Sequence, residues 1–114
     1  MLIYGINHFT NQDVIDIIKG NKKAKLGKKS KEQILKSYQN VQKIVKSDKT
    51  VYGINTGFGP LCETKISEEE TAKLQENLII SHSVGVGNPI AKEISKIMMV
   101  CKIHALSKGF SGIS

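Results

Sequence analysis

Residues 51–62 read Val-Tyr-Gly-Ile-Asn-Thr-Gly-Phe-Gly-Pro-Leu-Cys, and three glycines with a proline in one stretch exclude a regular helix there. This break divides the chain into two stretches that each carry helical periodicity. Before it, Thr10 or Asn11 predicts an N-cap, Val14, Ile17 and Ile18 follow at helical spacing, and Gly20 ends the segment. Ser30 and Gln33 form a Ser-x-x-Gln capping pattern. Ile34, Tyr38, Val41 and Val45 then share one face, which predicts an amphipathic helix of about four turns that stops near Asp48.

After the break, Ser67 and Glu70 form a second capping box, and a helix is expected to run to Ser81 with Leu74 and Leu78 on its apolar face. Asn88 and Pro89 predict the start of a last helix that runs to Lys108 before Gly109. That helix contains Ile97-Met-Met-Val-Cys101, an apolar run that wraps around the axis and requires partners on more than one side. Leu2 to Ile6 reads as a short edge strand, and residues 21–29 as an exposed cationic connection. No internal repeat is evident. The expectation is a mainly α chain, one domain over residues 1–114, with four helices, short strand segments and a Gly-rich loop.

Charge and cysteine content narrow the function classes. The net charge is +7, yet all 17 basic residues are Lys. Without arginine the chain lacks the planar fork that reads guanine or clamps phosphate, which argues against nucleic acid as a partner. Cys62 and Cys101 form no CxxC pair, no basic n-region precedes an apolar stretch at the N-terminus, and no apolar run approaches bilayer length. A reduced, cytoplasmic setting without membrane contact is the expectation.

Several local patterns invite chemistry. Gly57-Phe-Gly59 is not a dinucleotide fingerprint, because Cys62 stands where the third glycine belongs. Gly27-Lys-Lys-Ser30 is not a phosphate loop, because Lys22 stands at the first glycine position. Cys101 and His104 share a helical face but have no further ligands at metal spacing, so no metal site is expected. Glu68, Glu69 and Glu70 complement a helix N-terminus. The 51–62 loop reads either as a surface turn or as backbone that lets a ligand approach closely. His82, in phase with Leu74 and Leu78, reads either as a core histidine bonded to a carbonyl or as one that enters a pocket.

Three segments carry a resemblance. Val51-Tyr-Gly-Ile-Asn-Thr-Gly-Phe-Gly59, Leu74-Gln-Glu-Asn-Leu-Ile-Ile-Ser-His-Ser-Val-Gly-Val-Gly87 and His104-Ala-Leu-Ser-Lys-Gly-Phe-Ser-Gly-Ile113 resemble, in order and spacing, the aromatic amino acid ammonia-lyases of the histidine ammonia-lyase kind. The resemblance covers essentially the whole chain and about the first fifth of a family subunit. It implies the N-terminal part of an L-aspartase/fumarase-like fold without its central helical bundle. It further implies that Tyr52 is the general acid/base, that His82 and Gly59 bind substrate, and that Gly53, Asn55, Thr56, Gly57 and Phe58 belong to the active-site loop. The Gly57–Pro60 turn corresponds to the mobile loop that closes the site.

The family deaminates an aromatic amino acid with an imidazolone formed from an internal Ala-Ser-Gly, within a homo-oligomer. This sequence contains no Ala-Ser-Gly, and Ser114 stands where the family has arginine. The expectation is therefore an N-terminal lyase fragment, inactive alone. A tyrosine ammonia-lyase or aminomutase fragment, or a stand-alone helical interaction module, is the alternative.

Overall fold

The computed structural model describes residues 1–57, 59–61 and 65–113, and of Leu61 and Glu68 only the backbone. Phe58 and Cys62 therefore lie outside the described residues. The chain divides into two compact units, one of Met1–Gln39 with Asn88–Ser114 and the other of Asn40–Gly87.

The first unit begins with β1 (Leu2–Ile3), which pairs in parallel with β2 (Ala24–Lys25) in the register Leu2–Ala24 and Ile3–Lys25. Helix α1 (Asn11–Ile18) forms the crossover between them. Thr10 caps α1 as expected: its hydroxyl accepts the Asp13 N–H while the Asp13 carboxylate accepts the Thr10 N–H. Lys22 adds an ion pair to Asp13. The Lys22 ammonium, then the Thr10 donors, hold that carboxyl well below its ordinary range.

Helix α2 (Lys28–Val45) starts before the expected cap. Ser30 lies inside it, fully buried, and donates its hydroxyl to the Tyr4 carbonyl at 2.6 Å. A tertiary acceptor thus engages the hydroxyl that the capping pattern assigned to a local N–H. The cationic 21–29 connection also differs from expectation, because its Ala24 and Lys25 complete the sheet.

The last helix of this unit, named α4 because α3 precedes it in the chain, spans Lys92–Leu106. It starts three residues after Pro89, at Lys92, and its N-cap residue Ala91 makes no side-chain capping bond. Gly109, at φ 75°, follows it as the expected terminator. Helix α1 packs on α4, where Ile17 and Ile18 line a groove with Met99, Val100 and Ile103. Val100 is buried there, whereas Ile94, Met98 and Met99 remain more than half exposed. The apolar run thus wraps the helix as its sequence requires, and α1 covers one side of it.

The N-terminal segment is tied to α4 by His104. Its ring stacks on Phe9 with centroids 4.2 Å apart, and its Nδ1 accepts the Gly5 N–H at 3.2 Å. Burial, then the charges of Lys108 and His8, lower the His104 pKa below its ordinary value.

In the second unit, α3 (Glu68–His82) begins with the expected box, in which Ser67 and Glu70 cap each other. Thr71 is buried in the first turn and donates its hydroxyl to the Ser67 carbonyl. Between α2 and α3 lie the 51–57 turn, a short 3-10 helix at Gly59–Leu61 and a single antiparallel bridge between Thr56 and Lys65.

Candidate active-site loop and substrate-facing histidine

Val51, Tyr52, Gly53 and Ile54 form a reverse turn in which the Ile54 N–H donates to the Val51 carbonyl at 3.1 Å. Gly53 occupies the third position at φ 73°, a backbone region that side-chain-bearing residues resist. Tyr52, at the second position, is 62% exposed. Beneath it, Asn55 and Thr56 are each 1% exposed. The turn therefore presents a phenol outward from a buried polar base.

The bonds of that base are short-range and complete. The Asn55 Oδ1 accepts the Val51 N–H at 2.8 Å, and its Nδ2 donates to the Lys49 carbonyl at 2.8 Å. The Thr56 hydroxyl accepts the Gly53 N–H at 3.2 Å and donates to the Gly57 carbonyl at 2.9 Å. Gly53, Asn55, Thr56 and Gly57, expected in the loop, thus lie with Tyr52 in one hydrogen-bonded turn. Gly59 stands apart from this network at φ 59°, with open space around its α-carbon.

A related turn occurs earlier in the same chain. Ile3-Tyr-Gly-Ile-Asn7 repeats the pattern of Val51-Tyr-Gly-Ile-Asn55. Its Asn7 Oδ1 accepts the Ile3 N–H at 2.6 Å, the Ile6 N–H donates to the Ile3 carbonyl, and Gly5 has φ 78°. The sequence contained this short repeat, although the expectation was of none. The two copies invert their burial: Tyr4 is 9% exposed and Tyr52 62%, whereas Asn7 is exposed and Asn55 buried.

His82, the last residue of α3, is exposed, so it is not a core histidine. Its Nδ1 lies 2.9 Å from the Leu78 carbonyl oxygen and 3.0 Å from the Ser81 hydroxyl. A carbonyl only accepts, so Nδ1 carries the proton, and in the neutral ring Nε2 is left as an acceptor. Tyr52 and His82 belong to the same unit. No three His, Cys, Asp or Glu side chains gather as for a metal ion among the described residues. His104 is engaged by Gly5 and Phe9, while Cys101 is an exposed free thiol.

The sequence model of the aromatic amino acid lyases matches residues 9–114. The chain belongs to the aromatic amino acid lyase family. It is 42% identical over 107 residues to the histidine ammonia-lyase of Caldanaerobacter subterraneus, covering 94% of this chain and 21% of that protein. It is also 42% identical over 104 residues to the histidine ammonia-lyase of Bacillus subtilis, covering 91% of this chain and 20% of that protein. This lyase-family chain thus spans about a fifth of the length of the curated relatives it matches. A solved structure of a tyrosine aminomutase mutant with bound ligand superposes with a TM-score of 0.81 at 22% identity, over 96% of this chain and 21% of that one. That likeness supports the N-terminal part of the lyase fold, mainly helical with four helices, as the family resemblance implies.

Proposed function

We propose that this chain forms the N-terminal part of a histidine ammonia-lyase, which converts L-histidine to urocanate and ammonia. The observation that carries the reading is the exposed Tyr52 phenol on a turn held from below by buried Asn55 and Thr56. Elimination of ammonia requires loss of a β-carbon proton and protonation of the leaving amine, and a tyrosine held at fixed geometry performs such transfers once its pKa is matched to the task. His82 supports histidine as substrate, because its free Nε2 accepts a hydrogen bond from an imidazole N–H.

In the family, the electrophile that activates the amine is an imidazolone built from Ala-Ser-Gly, a tripeptide these 114 residues do not contain. The residues here therefore do not form that group, and their share of the chemistry is proton transfer, ring recognition and loop positioning. Alone, the chain is expected to be inactive. The same reading puts the protein in the cytoplasm as a homo-oligomer whose partner is an aromatic amino acid, with no role for nucleic acid or membrane.

The test replaces the matching first fifth of the Bacillus subtilis enzyme with this chain and follows urocanate absorbance. The hybrid should turn over histidine, and Tyr52→Phe should reduce its kcat by about a hundredfold or more. His82→Phe should lower kcat/KM for histidine by a similar factor. Full turnover by the Tyr52→Phe hybrid, or sustained turnover by the 114-residue chain alone, overturns the reading.

A further inference from the structure

We infer that Asn55 is a positioning residue whose buried amide clamps the Val51–Ile54 turn and so fixes the backbone that carries Tyr52. The inference rests on the proton-transfer role proposed for Tyr52 and adds to it the group that sets its placement.

Every polar group of Asn55 is engaged. Besides the Val51 and Lys49 bonds, its Nδ2 lies 3.5 Å from the Ile44 carbonyl in the last turn of α2. Its backbone N–H donates to the Val51 carbonyl at 3.3 Å, and its carbonyl accepts the Ile66 N–H at 3.1 Å. The side chain therefore joins α2 to the entry to the turn, and the backbone carbonyl of the same residue ties the exit at Ile66. Tyr52 is bracketed on both sides, because Asn55 holds the preceding N–H of Val51 and Thr56 holds the following N–H of Gly53.

The job needs both an acceptor and a donor at one reach, which asparagine supplies and neither aspartate nor leucine does. Burial makes the requirement strict, since a lost partner leaves a polar group without water. The turn around Asn7 is an internal comparison. There the asparagine makes the same bond to the residue four positions back but is exposed, and its tyrosine packs inward. The local motif alone therefore does not hold a tyrosine outward. The additional bonds from Asn55 Nδ2 to Lys49 and Ile44 distinguish the second copy.

The test uses the 114-residue chain with fluorotyrosine at its three tyrosines, each signal assigned by a Tyr→Phe substitution, together with amide hydrogen exchange. Asn55→Leu should raise exchange at Val51 and Gly53 by about tenfold or more and shift the Tyr52 signal, with Tyr4 and Tyr38 unchanged. Asn7→Leu should loosen Ile3 without moving the Tyr52 signal.

Asn55→Asp separates positioning from bulk structure. Its carboxylate accepts but cannot donate, and its protonated form regains a donor, so the wild-type Tyr52 signal should return as the carboxyl is protonated. If Asn55→Leu unfolds the unit, seen as lost protection of Thr71 and Ser83, the aspartate variant decides. A Tyr52 signal unmoved at any pH in that variant, or unprotected Val51 and Gly53 in the wild type, overturns the inference. Failure of the Tyr52 role would appear differently, as full turnover by Tyr52→Phe with Val51 still protected.

Discussion

Gly5→Ala should be among the most damaging single-atom additions to this chain, and a companion substitution isolates the reason. Gly5 has φ 78°, and a methyl group built on it would lie 2.2 Å from the Ser107 carbonyl oxygen and 2.5 Å from its carbon. Gly20 has nearly the same backbone angle, φ 80°, but a methyl group there meets nothing within 4 Å. Both alanines incur the left-handed penalty of about 1–2 kcal/mol. Only the one at Gly5 also forces backbone apart where the N-terminal turn meets the end of α4, which adds about 1–3 kcal/mol.

The totals are about 2–5 kcal/mol at Gly5 against about 1–2 kcal/mol at Gly20, from net stabilities that are typically about 5–15 kcal/mol. In melting temperature each kcal/mol corresponds to about 4–8 °C for a domain of up to a hundred residues. Thermal and urea unfolding followed by circular dichroism would measure both. Equal midpoints for the two variants would refute the steric argument, because backbone angle alone would then explain each.

Other consequences are measurable on the same chain. The His104 pKa is lowered in the folded state, so the unfolded chain takes up that proton first; stability should be full above the ordinary histidine value of about 6.5 and decline as pH falls below it. His104→Gln should flatten that decline in urea midpoints measured across pH. Ser30→Ala removes the buried bond to the Tyr4 carbonyl and should cost about 1–3 kcal/mol in urea unfolding. Thr10→Ala should cost about 0.5–2 kcal/mol by the same assay, through loss of the α1 cap. Asp13 is held low by Lys22 and Thr10, so its contribution persists above the ordinary carboxyl range and disappears only in strong acid; Lys22→Ala should move that acid transition to higher pH.

Features set by neighbours within four residues were determined by the sequence alone. The Thr10–Asp13 and Ser67–Glu70 boxes, the break at 51–57 and the terminating glycines Gly20 and Gly109 follow from hydrogen bonds and backbone angles that a short peptide already specifies. The family motifs around Tyr52 and His82 were equally legible as residues in order. Other features depended on partners far away in the chain. Ser30 became a helix-interior residue because Tyr4, 26 positions earlier, offers its carbonyl, and His104 found the Gly5 N–H across 99 positions.

The two Tyr-Gly-Ile-Asn turns state the division most clearly. Their shared sequence dictates the same turn, with glycine at positive φ and asparagine bonded to the residue four positions back. Which tyrosine is buried and which is presented outward was decided by tertiary structure. Phe9 packs 5.4 Å from the Tyr4 ring in one copy, whereas bonds to the Lys49 and Ile44 carbonyls hold the buried Asn55 inward in the other. Burial depends on what surrounds a segment, and a local sequence does not specify its surroundings.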